Sequence, residues 1–437
     1  MLLLALSLIA LGMGYGWLSA RLHWWPGSTL DQAMLAADAT WQKWRPRDRY
    51  NDTNLFIASR FERSGVLRHD AARAQDGYTL YTSGHDNAAF LIDMAGRTVH
   101  EWRLPFSQAW PDPPHVRAPL ADEFIYWRKA LLFPNGDLLA IYEASGDTPY
   151  GYGLVKVDKD SRLLWRYAQH ANHDVAVDAD GRVYTLIHEF RDTPVPGSRI
   201  RELPYLEDYL VVLSPTGEEL RRISITEAFR NSEYAGSLDV IGDAPDGWDA
   251  WHTNTVELPT AETLPAFPFL RAGQVVISIR NADLLAAIDI ESGKVTWAMT
   301  GPWYRQHDPD LLANGHIMLF DNRGHHGPGG GARVLEIDPA DARIAWRYTG
   351  SAEEPFISTG RGSQQLLANG NVLITESHQG RIFEVTRDHQ IVWEYISPFR
   401  AATYPDRIAV VCWATRHAPE TLHFPLSGQP SSAAVTN

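Results

Sequence analysis

The chain has 437 residues, 44% apolar and 21% charged, enough to bury a full core as two or three ordinary domains or as one large repeat fold. Lys and Arg total 39 against 53 Asp and Glu, a net charge of -14, and no basic run is long enough to track a phosphate backbone, which excludes a nucleic-acid partner. Cys412 is the single cysteine, so no intrachain disulfide forms, while 16 Trp, 27 Pro and 33 Gly point to many short strands joined by tight turns.

Residues 2 to 20, LLLALSLIALGMGYGWLSA, carry no charge and are long enough to cross a bilayer, with Trp17, Trp24 and Trp25 where an interfacial belt would sit. They predict a transmembrane or signal-anchor helix over residues 1–22. A cleaved signal peptide is the alternative, but no Lys or Arg precedes the run and the small-residue site at Ser19 and Ala20 is vague. Arg21, Lys43, Arg45, Arg47 and Arg49 follow the run, and a positive-inside count would keep the C-terminal side cytoplasmic. Residues 23–53 read as a helical linker: Ser28 and Asp31 resemble a capping box before an Ala-rich stretch with Trp41 and Trp44.

From there the chain repeats itself. One element is an apolar strand, a turn and a second strand closing on Trp: FLIDMAGRTVHEWRL, LVKVDKDSRLLWRY, AAIDIESGKVTWAM, VLEIDPADARIAWRY and IFEVTRDHQIVWEY, with LVVLSPTGEELRRI a sixth copy lacking the Trp. Most copies follow a hairpin whose Asn-Gly or Asp-Gly turn supplies the positive φ a two-residue loop needs, as in ALLFPNGDLLAIY and QLLANGNVLITE. Joined, the two elements make four-stranded units of about fifty residues that cannot bury their own faces and stack around an axis. The expected fold is all-β, a six-bladed β-propeller over residues 54–415, with RIAVVCWAT closing the ring against an early strand. Residues 416–437, ending in the polar PLSGQPSSAAVTN, read as a C-terminal tail.

In such a ring the residue before each innermost strand faces the axis. His173, His252 and His307 occupy that register in successive blades, with Arg128 and Gln364 in the flanking ones. The next strand of each blade ends in Arg280 and Asn281, in Asn322 and Arg323, or in His378, so donors from distant parts of the chain converge on one pocket. His316 falls on a hairpin turn, where a solvated role is expected, and His325 and His326 decorate a Gly-rich loop that could form a rim. Imidazoles and guanidiniums with few carboxylates suit a sulfate or phosphate centre, and a neutral imidazole can itself attack to form a covalent intermediate. Asp174 and Asp308, each next to a channel His, are either ring orienters or structural ion partners.

The segments GWDAWHTNTVEL (247 to 258), VVISIRNADLLAAIDIESGKVTWAMTGPWYRQHDPDLLANGHIMLFDNRG (275 to 324), RVLEIDPADARIAWRY (333 to 348) and GSQQLLANGNVLITESHQGRIFEVTRDHQIVWEY (362 to 395) resemble the arylsulfotransferase family of propellers. The resemblance implies PAPS-independent transfer of sulfate from a phenolic ester to a phenol through a sulfated His, in a propeller on the extracytoplasmic side; with the apolar run as an inner-membrane anchor, the propeller faces the periplasm or the cell exterior. It implies no cofactor. By it, His252, His307 and His378 are the catalytic candidates: His252 and His307 match the family's sulfate-pocket histidines, and the nucleophile is His378 of the ESHQG segment or else His307 or His252; His173, Arg280, Asn281 and Arg323 are the substrate-binding candidates. Three other readings stand beside it. DIESGKVTW also resembles the Trp-docking repeat of quinoprotein dehydrogenases, but the eight blades and acidic calcium cluster of those enzymes are missing. His173, His252 and His307 could ligate zinc or copper, and a non-catalytic anchored propeller could dock a membrane protein partner.

Overall fold

A computed structural model of the protein describes residues 2–22, 48–200, 203–239, 241 and 248–426, and the chain divides into two units at residues 48 and 49. The first unit holds helix α1, Leu2–Leu22. Among the described residues no helix is long and apolar enough to cross a membrane, so the fold includes an N-terminal helix without a demonstrated span. The expected linker up to residue 47 and the tail beyond residue 426 lie outside the described residues.

Among its described residues the second unit contains six blade sheets, five of four strands and one of five, and a two-stranded ribbon; six blades are what the repeat predicts. The strands preceding the second sheet are β1 (Phe56–Ala58), β2 (Gly65–His69), β3 (Tyr78–Ser83), β4 (Ala88–Ile92) and β5 (Thr98–Arg103). The second blade is β6 (Ile125–Leu132), β7 (Leu138–Ala144), β8 (Gly151–Val157) and β9 (Leu163–Tyr167). The third is β10 (Ala171–Val177), β11 (Val183–Arg191), β12 (Tyr205–Leu213) and β13 (Glu219–Ser224); the fourth is β14 (Thr253–Glu257), β15 (Gln274–Ile279), β16 (Leu284–Asp289) and β17 (Lys294–Thr300). The fifth comprises β18 (His307–Leu311), β19 (Ile317–Asp321), β20 (Arg333–Asp338) and β21 (Arg343–Thr349). The sixth comprises β22 (Ser363–Leu366), β23 (Val372–Glu376), β24 (Arg381–Val385) and β25 (Ile391–Ile396), and β2 adds a fifth strand outside β25.

Two final strands, β26 (Arg407–Ala409) and β27 (Val411–His417), return to the start of the chain. β26 pairs with β1, and β27 pairs with β3 as the innermost strand of the first blade, Val411 opposite Ser83 and His417 opposite Tyr78. The inner strands β6, β10, β14, β18, β22 and β27 neighbour one another in a closed ring. Beyond β27, Phe424 and Leu426 are buried with Trp102 and Leu132 between the first two blades.

Six apolar clusters fill the six interfaces between blades. This explains the sequence pattern, because a middle strand such as β4 is buried at every position and reads as a continuous apolar run. The fourth strand of a blade carries a Trp that reaches the next blade: Trp102 Nε1 donates to Gly136 O at 2.9 Å, Trp165 to Pro215 O at 3.1 Å, Trp346 to Arg387 O at 2.9 Å and Trp393, on a β25 buried throughout under β2, to Met94 O at 3.0 Å. In the blade without the Trp, Arg221 makes the corresponding bond to Glu291 O at 3.0 Å.

Candidate active site

The inner strands are not regular where they meet the cavity. β6, β10, β14, β18 and β27 each carry a bulge or register shift near the start, and His173, His252 and Asp308 have φ of 55°, 49° and 54°. Left-handed backbone at a non-glycine residue is uncommon and gathers at functional sites, as do bulges that re-aim a side chain. The result is a cavity of about 610 Å³ lined by His173, His252, His378, Arg128, Arg280, Arg323 and Arg361, with Tyr126, Tyr150, Trp248 and Glu143 among its other walls. A volume of that size accepts an aromatic ester.

Three imidazoles stand together at the axis, and each has its Nδ1 occupied. His252 Nδ1 bonds the Asp249 carboxylate. His307 Nδ1 meets Asn322 Oδ1 at 2.6 Å, and the amide nitrogen of Asn322 donates to Ser358 O and Arg361 O, so the oxygen is the acceptor and the His307 proton lies on Nδ1. His173 Nδ1 meets Asn172 Oδ1 at 2.8 Å, and Asn172 is oriented the same way by His170 O. His173 and His252 line the cavity with Nδ1 already engaged, so Nε2 is the atom left for a ligand; His307 does not itself line it, and its Nε2 is buried with no partner.

Burial lowers the pKa of all three. For His307, Arg128 and Arg280 add to the effect; for His173, His252 and Arg128 do. His252 is lowered by burial against the opposing pull of Asp249. Burial pushes the Asp249 carboxyl up, but His252, His188 and Arg280 outweigh it and hold it below the usual range. The protein therefore presents neutral imidazoles beside fixed guanidiniums. Arg128 donates to Cys412 O at 2.8 Å and lies 3.9 Å from Glu143, which also accepts from Tyr126 Oη at 2.6 Å.

His378 is a different kind of group. The Thr359 N–H points at its Nδ1 at 3.3 Å, so Nε2 carries the proton. Burial, Arg361 and Arg323 together lower its pKa to about 4. Arg323 itself is tied to Thr359 O at 3.0 Å, and Arg361 to Asn54 and to Tyr126 Oη at 3.1 Å.

Several expected placements differ. Asn281 does not line the cavity: its amide donates to Asp249 O at 2.6 Å and its oxygen accepts from Arg305, so it braces the loop that carries Asp249. Gln364 is not a cavity donor either, because β22 lacks the bulge of its neighbours and the cavity position of that blade falls to Arg361. Gln364 instead bonds Asp308 and Asp310 further along the channel, where Asp174 pairs with Lys129. Asp174 and Asp308 are thus structural partners and orient no histidine ring. His316 sits on its turn but is half-buried against Glu336 at 2.7 Å, and neither His325 nor His326 lines the cavity. Among the described residues no group of three or more His, Cys, Asp or Glu is arranged to hold a metal ion, so the zinc or copper alternative finds no ligand set. Asp249, Glu143, Tyr150 and Arg361 were not singled out from the sequence; of these, Asp249 was accessible through its place three residues before His252 in GWDAWHT.

Solved structures similar to this chain include a protein of unknown function from Bacteroides caccae (12% identity, 78% of this chain and 98% of that one, TM-score 0.45). Others are a streptogramin B lyase (13%, 79% and 87%, TM-score 0.40) and a virginiamycin B lyase from Staphylococcus aureus (10%, 79% and 88%, TM-score 0.40). At these scores they carry no argument about function. No curated protein matches the chain. The family model described as arylsulfotransferase (ASST) matches residues 129–398, which span nearly all of blades two to six and the candidate side chains named from the sequence except Arg128, and the chain belongs to the arylsulfotransferase family.

Proposed function

We propose that the protein moves a sulfuryl group from a phenolic sulfate ester to a phenol without PAPS, with His252 as the nucleophile. The observation that carries this reading is the Asp249–His252 pair, which holds the ring proton on Nδ1 and leaves the Nε2 lone pair at a cavity lined by Arg128 and Arg280. Nε2 attacks sulfur, an N–S bond forms, and the S–O(aryl) bond breaks with its electron pair leaving on the phenolate. The acceptor binds as a phenolate after losing its proton to water. Its oxygen attacks sulfur in turn, and the N–S electron pair returns to His252. Arg128, Arg280 and the Nε2 positions of His173 and His307 surround the sulfuryl oxygens, where preorganised donors act most strongly on developing charge. His378, whose Nε2 carries the proton while Nδ1 accepts from the Thr359 N–H, donates with Arg323 toward the phenolate oxygen.

His378 is the rival nucleophile from the family resemblance. It would have to shift its proton to Nδ1 against the Thr359 N–H, which favours His252. We further propose that the apolar segment of residues 2–20 anchors the protein at the inner membrane, with the propeller in the periplasm. The uncharged run of residues 2–20 and the family resemblance support it; protease accessibility of the propeller in spheroplasts tests it.

Incubation of the purified protein with p-nitrophenyl sulfate, with and without phenol, tests the activity. Acceptor-dependent nitrophenolate release and appearance of phenyl sulfate are expected. Absence of both across a panel of phenols removes the sulfotransfer reading and leaves an anion-binding propeller.

A further inference from the structure

We infer that Asp249 is shared by two imidazoles, with His188 a positioning residue for the His252 centre; this rests on the reading of His252 as nucleophile. Asp249 Oδ2 receives the His252 Nδ1 proton, whereas its Oδ1 is buried with no hydrogen-bond partner. His188, on β11 and 0% exposed, accepts the Gly151 N–H on Nε2 at 3.2 Å. Its proton therefore lies on Nδ1, and that atom too is buried with no partner. One orphaned donor and one orphaned acceptor remain in the same small region.

Each is among the groups that act electrostatically on the other: Asp249 is the leading charge acting on His188, and His188 is among those acting on Asp249. The ring of Tyr150 links His188 to the His252 that Asp249 holds, 4.3 Å from the His188 centroid at 85° and 6.0 Å from that of His252. The competing acceptor, Asp208, stands opposite His188 on β12 and takes the Thr253 N–H on Oδ2 at 2.7 Å, but unlike Asp249 it has no oxygen left buried without a partner. Buried polar groups are paired in nearly all proteins, and the pairing open to these two is His188 Nδ1–H to Asp249 Oδ1. The carboxylate then has a proton donor on each oxygen and cannot rotate, which fixes the His252 tautomer that attack requires. No bond to sulfur involves His188.

The test compares His188→Leu, His188→Asn and Asp249→Asn, alone and combined, with p-nitrophenyl sulfate as donor. His188→Leu is expected to lower kcat about 10- to 100-fold with KM little changed, as loss of an orienting partner does. His188→Asn, which keeps an N–H near the place of Nδ1, recovers most of that loss. In the Asp249→Asn background His188→Leu has no further effect, since the two act as one unit. Unchanged kcat in His188→Leu, or an equal further loss in the Asp249→Asn background, overturns the inference. Should His188→Leu not fold, the Asn variant decides: loss of kcat as large as that of Asp249→Asn also overturns it. If the wild type transfers no sulfate, the proposed function has failed on its own. The shared carboxylate is then judged by a crystal structure, in which His188 Nδ1 and Asp249 Oδ1 at hydrogen-bond distance uphold it and a wider separation refutes it.

Discussion

The imidazole of His173 stands edge-on to that of His252, with centroids 4.8 Å apart and planes at 71°. The two rings come from neighbouring blades, and His252 adds to the burial that lowers the tendency of His173 to take a proton. An arriving anion reverses that balance. Sulfate among His173, His307, Arg128 and Arg280 stabilises an imidazolium that donates Nε2–H, so binding takes up protons. Affinity for inorganic sulfate is expected to rise as pH falls, and calorimetry in buffers of different ionisation enthalpy measures the uptake. A pH-independent affinity rejects imidazole donors to the anion.

Removal of the attacking nitrogen is expected to be far more severe than removal of an oxyanion partner. His252→Ala lowers kcat about 10⁴-fold and Asp249→Asn about 10²- to 10⁴-fold, whereas His307→Ala and Arg280→Met each lose about 10²- to 10³-fold. Steady-state rates with p-nitrophenyl sulfate order the four. A His378→Ala loss larger than that of His252→Ala would transfer the nucleophile role to His378.

Stability has an acid limb and an alkaline limb set by different buried groups. Burial lowers His85 to about 3 and His417 to about 4, so below pH 6.5 the unfolded chain binds protons that the native state refuses. Stability therefore falls as pH drops from 6.5 toward 4, by about 1.4 kcal/mol per pH unit for each such histidine. Glu257 is displaced the other way, to about 8, by burial and by Asp308 and Asp174. Its contribution is complete below pH 4.5 and is lost as pH rises toward 8. Urea unfolding across pH is expected to show both limbs, and Glu257→Gln to flatten the alkaline one.

The docking tryptophans differ in burial, and their substitutions should differ accordingly. Trp393 is 0% exposed in the interface between the last blade and the first. Trp393→Ala is expected to destabilise by about 3–5 kcal/mol. Trp165, half-exposed on its blade edge, should lose markedly less on the same change. Paired thermal melts compare them, and equal shifts contradict the packing account.

The blade count and the ring closure were legible because they rest on periodic features: Asn-Gly and Asp-Gly turns, apolar runs buried on both faces, and a Trp at a fixed place. The convergence of His173 and His252 followed from the same register. What the repeat did not disclose were departures from it. Gln364 was misplaced because β22 alone among the inner strands runs without a bulge, and Asn281 because its amide is consumed by Asp249 and Arg305. Glu143 and Tyr150 belong to β7 and the loop after it, where composition alone does not distinguish a cavity wall from an ordinary strand end.

The first blade takes its inner strand from the far end of the chain, β27 beside β3. During synthesis the edge of β3 therefore waits unpaired until nearly the whole polypeptide has left the ribosome. The circle, and with it the cavity whose wall Arg128 and Cys412 join across the seam, closes only once β27 has been made. A chain terminated before β27 would carry every histidine of the candidate site in a ring that cannot close.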